Sequence, residues 1–198
     1  MRKSTLGASL AIALLPLSLP ACSEDPPVRD PSTANEKKSS GSHGAAAAAA
    51  APNEITCSGK PDVGKNASSF KVSTLGGGRA GLEKGKVYIV DFWATWCEPC
   101  KKSFPKYQEL YVKYKASGLE IVAVSVDEEK TPIPDFVKAH GAKFPVAWDD
   151  GKKIANCYSP PGMPSAYVID KNGVIKHVHN GFHPGEEAEL EKEIKALL

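Results

Sequence analysis

Phe92-Trp93-Ala94-Thr95-Trp96-Cys97-Glu98-Pro99-Cys100-Lys101 is the stretch on which the reading of this chain turns. It sets two cysteines three positions apart, directly after the apolar run Val87-Tyr88-Ile89-Val90 and directly before a helical pattern. The spacing predicts a strand that ends in Trp-Cys-x-x-Cys and opens a helix. Cys97 then lies at a helix N-terminus, where unpaired N–H groups and the macrodipole favour negative charge. The thiolate is the reactive form of cysteine, so this placement activates Cys97. Cys100 follows one turn later, within reach of a disulfide to Cys97, and can resolve a mixed disulfide. A zinc site would need a second Cys-x-x-Cys or a His pair at ligand spacing, and the chain has neither.

Outward from the motif, the pattern is that of alternating strands and helices. Phe70 to Leu75 alternates and precedes Gly76-Gly77-Gly78, a strand and a turn. Phe104, Tyr107, Leu110, Tyr111 and Tyr114 recur at helical spacing from Glu98 to about Ser117, where Gly118 ends the run. Pro105 is expected to kink this helix. Leu119 to Val126 is almost wholly apolar, as in a parallel strand covered on both faces. A helix from Pro134 to Ala139, a strand from Phe144 to Trp148 and a short helix from Lys152 to Cys157 follow. Ala166 to Ile169 and Val174 to Val178 flank Asp170-Lys171-Asn172-Gly173, a hairpin with Asn-Gly at its turn. Glu186 to Leu198 is the last helix. The expected order is β-β-α-β-α-β-α-β-β-α.

Val90-Asp91-Phe92-Trp93-Ala94-x-Trp96-Cys97-x-Pro99-Cys100-Lys101 resembles the thioredoxin signature. The Cys-Glu-Pro-Cys form and the later layout are similar to the membrane-anchored TlpA/ResA-like reductases of the bacterial cell envelope. The resemblance covers roughly residues 57 to 198. It implies an α/β thioredoxin fold with the extra strand and helix of the TlpA-like branch. It also implies a protein-disulfide oxidoreductase that needs no cofactor. Reduced Cys97 would attack a client disulfide and Cys100 would resolve the intermediate. A membrane electron donor would restore the dithiol.

Asp91 is an acid inside an apolar strand. A buried carboxylate without a cation has a raised pKa and can exchange protons near neutrality. By resemblance to thioredoxins, Asp91 assists proton removal from Cys100. ResA-like proteins keep an acid three residues after the second cysteine, where this chain has Ser103. The family also places a cis proline, facing the cysteines, ahead of the strand that begins here at Ala166. Pro164 is the candidate, with Met163 as an apolar contact, and Pro160 and Pro161 compete. Trp96 is expected in an apolar client groove and Trp93 in the core. Glu98 between the cysteines opposes a Cys97 thiolate, which argues for a reductant. A fully solvated Glu98 would have little effect.

The chain has five cysteines. With Cys97 paired to Cys100 and Cys22 lipidated, Cys57 and Cys157 are left to join. Some TlpA-like proteins pin their N-terminal extension with such a bridge, and two free thiols are the alternative. His177, His179 and His183 are read as surface histidines, because no carboxylate partner follows at metal-ligand spacing. The expected metal content is none. There is no nucleotide loop, and Lys101 after the second cysteine excludes a haem Cys-x-x-Cys-His.

Residues 1–21 read as a lipoprotein signal peptide: Met1-Arg2-Lys3 is basic, Leu6 to Leu19 is apolar but too short and proline-broken for a span. Leu19-Pro20-Ala21-Cys22 resembles a lipobox, with Cys22 as the lipidated residue. Residues 22–53 read as a lipid-anchored flexible linker, with Pro26-Pro27, Ser39-Ser40-Gly41-Ser42 and the alanines Ala45 to Ala51. Residues 54–198 are the thioredoxin-like domain. Removing the signal takes Arg2 and Lys3, so 25 basic residues become 23 against 23 acidic. That balance, with no basic stripe carrying aromatics, excludes nucleic acid as the expected partner.

The expected location is the exported cell envelope, facing the periplasm if the source is Gram-negative. Clients are disulfide-containing proteins: apocytochrome c, which would place the chain in cytochrome c maturation, a copper-site protein, or an oxidised secreted protein. Two rivals remain at the level of sequence. One is an envelope disulfide oxidase. The other is a copper-handling thioredoxin-fold binding protein that uses the cysteines and Met163 as soft ligands. A thiol peroxidase would need a different pattern around its cysteine.

Overall fold

The structure is a computed structural model, and it describes residues 52–198. The expected signal peptide, the Cys22 anchor and almost all of the linker lie outside the described residues. Twelve regular elements follow in the order β-β-β-β-α-β-α-β-α-β-β-α. They are β1 (Glu54–Thr56), β2 (Ser69–Ser73), β3 (Arg79–Gly81), β4 (Val87–Trp93), α1 (Glu98–Tyr114), β5 (Leu119–Ser125), α2 (Ile133–Ala139), β6 (Val146–Trp148), α3 (Lys153–Tyr158), β7 (Ser165–Ile169), β8 (Ile175–Asn180) and α4 (Glu186–Leu197).

Five strands form the main sheet in the order β6-β5-β4-β7-β8. β5 runs parallel to both β4 and β6, whereas β7 is antiparallel to β4 and to β8. β4 is central and every residue in it is buried, which is why its sequence shows no alternation. Beside it stands a separate antiparallel sheet, β1-β2-β3. The sequence reading missed β1 and β3. Each is three residues long, too short to carry a period of two, and each exists because β2 offers both its edges.

Aromatic side chains divide the core by sheet face. Trp93 packs on Phe104 of α1 at 4.4 Å and on Phe136 of α2 at 4.6 Å between ring centroids. The next residue back, Phe92, points the other way, to Tyr158 of α3 at 5.2 Å and Tyr167 of β7 at 5.8 Å. Tyr158 also meets Phe70 of β2 and donates its hydroxyl to the Ser68 carbonyl at 2.7 Å, tying the small sheet to that face.

α1 forms because Cys100, Phe104, Tyr107 and Tyr111 repeat on one face and are all buried. Pro99 sits in its first turn, where a missing N–H costs nothing. Pro105 does not end it: the helix runs unbroken for 17 residues. The apolar face on either side of Pro105 holds the helix to the sheet and outweighs the lost bond. A single 3-10 turn follows, and Gly118 at φ 105° reverses the chain into β5, a conformation that favours glycine. The Asn-Gly hairpin forms as expected, with the Asp170 N–H bonded to the Val174 carbonyl at 2.9 Å. Among the described residues no helix is long and apolar enough to cross a membrane.

Candidate active site

Cys97 is the N-cap residue of α1. Its backbone is extended (φ −84°, ψ 108°), and its Sγ accepts the Cys100 N–H at 3.2 Å. A serine or aspartate oxygen usually fills this role; here a sulfur does, so helix N–H groups and dipole act on the sulfur itself. Cys97 and Cys100 are joined as a disulfide with Cα atoms 5.3 Å apart. Cys97 is 4% exposed and Cys100 is 0% exposed, so only Cys97 offers a reagent any approach. Buried Ser103 donates its hydroxyl to the Cys100 carbonyl at 3.1 Å.

Asp91 lies wholly inside the protein, in β4. Neither carboxylate oxygen has a hydrogen-bond partner of normal geometry. Burial holds its pKa well above the usual carboxylate range; the nearby Tyr107 hydroxyl opposes the shift and the Glu186 charge adds to it. Tyr107 approaches Asp91 closely enough to act on it without completing a hydrogen bond of normal length and angle.

Glu98 corrects the sequence reading. Its carboxylate is exposed and paired with Lys101 one turn on, and that pair lowers its pKa. The lysine cancels much of its field, so Glu98 gives no argument for the redox direction. His179 is a second correction. It is not a free surface histidine: its side chain is 11% exposed and stands between two acids, with Nδ1 3.1 Å from Glu186 Oε1 and Nε2 2.8 Å from Glu193 Oε2. These acids lie on α4, the next element, 7 and 14 residues further on, at no metal-ligand or helical spacing from a strand residue. His183 is exposed, and among the described residues no group of three or more potential ligands could hold a metal ion.

Met163-Pro164 is a cis peptide bond. Trp96, 69% exposed beside Cys97, Met163, Pro160, Val126, Ala155 and Lys152 border a groove of about 420 Å³. Cys57 and Cys157 form a disulfide with Cα atoms 5.1 Å apart. It ties the segment after β1 to α3, whose Ala155 and Asn156 line the same groove.

The sequence reading passed over Asp127. It is 6% exposed and accepts the Thr95 N–H through both oxygens, at 3.1 and 3.0 Å, the Thr95 hydroxyl at 2.7 Å and the Ser125 hydroxyl at 2.7 Å. The available signal was an acid directly after the apolar run Leu119 to Val126, whose strand β5 pairs with β4, the strand that leads into the cysteines.

A cysteine pair at a helix N-terminus, on a sheet of order β6-β5-β4-β7-β8, with a cis Met163-Pro164 bond whose Met163 shares a groove with Trp96, defines a thioredoxin-fold thiol–disulfide oxidoreductase. The model of the AhpC/TSA family matches residues 63–178, and the chain belongs to that family. It is 43% identical over 118 residues to thiol-disulfide oxidoreductase ResA of Bacillus anthracis, covering 59% of this chain and 68% of that one. To ResA of Bacillus subtilis (strain 168) it is 38% identical over 120 residues, 60% of this chain and 67% of that one. Among solved structures it is similar to a putative thiol:disulfide interchange protein DsbE from Chlorobium tepidum: 36% identity and TM-score 0.65, over 69% of this chain and 97% of that one. StoA from Bacillus subtilis matches at 25% identity and TM-score 0.56, over 63% of this chain and 96% of that one. The chain is therefore a protein-disulfide oxidoreductase, and its substrates are disulfide-containing proteins.

Proposed function

We propose that the protein reduces disulfides of client proteins in the bacterial cell envelope through the Cys97–Cys100 dithiol. The observation that carries this reading is the pairing of an activated, approachable Cys97 with a wholly buried Cys100 one turn along the same helix. The Cys97 thiolate attacks one sulfur of the client disulfide, and that disulfide breaks with one client sulfur bound to Cys97. Asp91 takes the proton of Cys100. The Cys100 thiolate then attacks Cys97 Sγ, forms the Cys97–Cys100 bond and expels the second client thiolate. Two electrons pass from the dithiol to the client.

By resemblance to thioredoxins Asp91 lies under the Cys97–Cys100 pair, where a buried carboxylate disfavours thiolate, and a reduced form with poorly stabilised thiolates gives up its electrons more readily. This supports reduction as the working direction. Trp96 and Met163 supply the apolar part of the client groove, next to the cis Met163-Pro164 bond. Cys22 anchors the chain by lipid, the linker spans to the domain, and a membrane electron donor re-reduces Cys97–Cys100; these parts rest on the sequence.

Two measurements test the reading. Cys100→Ser should accumulate a covalent complex with a disulfide-bearing client on non-reducing gels, whereas Cys97→Ser should not. Equilibration with dithiothreitol or glutathione buffers should give a potential nearer to about −270 mV than to about −120 mV. A value more positive than about −180 mV assigns the oxidase direction instead.

A further inference from the structure

We propose that Tyr107 and Glu186 carry the Cys100 proton onward from Asp91 to His179 and so to solvent. The proposal rests on the reading of Asp91 as the Cys100 proton acceptor, and it answers a need that reading creates. A carboxyl group with no exposed surface can accept one proton per turnover only if it can also lose it.

The sheet register supplies the geometry. Asp91 of β4 is paired with Ala166 of β7, and Ala166 with His179 of β8. Directly paired residues point to the same sheet face, so Asp91, Ala166 and His179 form one cross-strand row. Neighbouring strands are about 4.8 Å apart, which puts the two ends of the row roughly 10 Å from each other. The middle member is alanine, so no side chain of β7 fills the space between.

Two residues from the covering helices act there instead. Tyr107 lies on the buried face of α1, seven residues after Cys100. Helical side chains lean toward the N-terminus, so its hydroxyl reaches back along α1 toward Ser103 and Asp91. The hydroxyl is completely buried and has no partner of normal geometry. Glu186 opens α4, and its charge acts on both Asp91 and Tyr107. Its Oε1 meets His179 Nδ1 at 3.1 Å, and its Oε2 accepts the His183 N–H at 2.8 Å. From His179 the row continues: Nε2 to Glu193 Oε2 at 2.8 Å, and Glu193 Oε1 to His177 Nδ1 at 3.0 Å. The His177 side chain is 41% exposed, which is where the row reaches water.

The groups that act on Asp91 are Tyr107 from α1 and Glu186 from α4, with His179 along the row from β8. β5 and β7 present Ala123 and Ala166 beside it. None of these is a lysine or arginine that would hold Asp91 ionised. Protonated Asp91 donates to the Tyr107 oxygen as the phenol gives its own hydrogen to the Glu186 carboxylate. The phenol ends neutral, so the step needs no tyrosinate. Glu186 passes a proton to one ring nitrogen of His179, which releases one from the other toward Glu193. Tyr107 and Glu186 act through Asp91 and are positioning residues, not catalytic ones.

The test uses the reduced full chain and the aromatic disulfide 5,5′-dithiobis(2-nitrobenzoate). The first thionitrobenzoate released reports attack by Cys97; the second reports attack by Cys100 on the mixed disulfide. Tyr107→Phe and Glu186→Gln should each slow the second release at pH 7 about tenfold, and Asp91→Asn about a hundredfold, within the span of general acid–base effects. Glutamine keeps the hydrogen bonds of Glu186 but transfers no proton, so Glu186→Asp should recover much of the rate that Gln loses. The second release should also reach half its maximum at higher pH in Tyr107→Phe, because Cys100 must then ionise nearer its unassisted value of about 8.5.

If Asp91→Asn slows the second release while Tyr107→Phe and Glu186→Gln stay within twofold of the parent, the route is overturned and Asp91 keeps its role. If Asp91→Asn has no effect, the reading of Asp91 falls first, and the route with it. Equal slowing of both releases in Tyr107→Phe and Glu186→Gln would mark a general change in packing and overturn the route as well.

Discussion

Asp127 accepts the backbone N–H of Thr95 through both carboxylate oxygens, at 3.1 and 3.0 Å, two residues before the attacking cysteine. The Thr95 hydroxyl adds a third bond at 2.7 Å. An acid at the end of β5 thereby fixes the loop that leaves β4, and with it where Cys97 meets the helix. Asp127→Ala should cost about 1.5–3 kcal/mol, the range for hydrogen bonds to a charged group. Urea unfolding checks the stability and iodoacetamide trapping checks Cys97. A variant with unchanged stability and an unchanged Cys97 alkylation rate would remove Asp127 from the site.

Asp91 should make stability depend on pH. Burial raises its folded-state pKa, while an unfolded aspartate titrates near about 3.9. Between those values the folded protein holds a proton that the unfolded chain has lost. Stability therefore falls as pH rises from about 4 toward the folded pKa and levels off above it. Asp91→Asn lacks this loss. Melting of the oxidised protein should show the variant more stable than the parent at pH 7, with the two converging near pH 4. Parallel curves across that range would contradict the burial argument.

The Cys57–Cys157 disulfide joins residues 100 apart. In the chain-entropy picture a loop of that length is worth up to about 4.7 kcal/mol. The double variant Cys57→Ala/Cys157→Ala should lose a large part of that in denaturant unfolding and retain the Cys97–Cys100 chemistry. Because α3 borders the groove, KM for a protein client should rise as well. A loss below about 1 kcal/mol would mean that the bridge constrains neither state.

Trp96 is a large apolar side chain with most of its surface in water. Its exposure makes sense as a client contact. Trp96→Ala should raise KM for a folded, disulfide-bearing protein about tenfold, or about 1.4 kcal/mol. Turnover of a small disulfide, which does not fill the groove, should change little. Equal losses on both substrates would place Trp96 in the positioning of Cys97 instead.

Much of the molecule was legible in one dimension. The apolar run Val87 to Val90 ahead of Asp91 read as a buried strand, the repeat Phe104, Tyr107, Leu110, Tyr111 and Tyr114 as a helix face, and Asn172-Gly173 as a hairpin turn. β1 and β3 were not legible, since a three-residue strand has no period and depends on the edges of β2. Pro105 lies inside α1 without ending it, because the buried face on either side of it holds the helix together.

The sequence by itself determined the chemistry: two cysteines, their order, the helix dipole that activates the first, and an acid in the strand before them. These are local facts, fixed by spacings of a few residues. Tertiary structure alone decided what surrounds that chemistry. It buried Asp91 completely, turned Glu98 to Lys101, joined Cys57 to Cys157, and brought Glu186 and Glu193 of α4 against the histidines of β8. Burial and long-range pairing depend on which surfaces the strands and helices cover, and only the packed chain sets that.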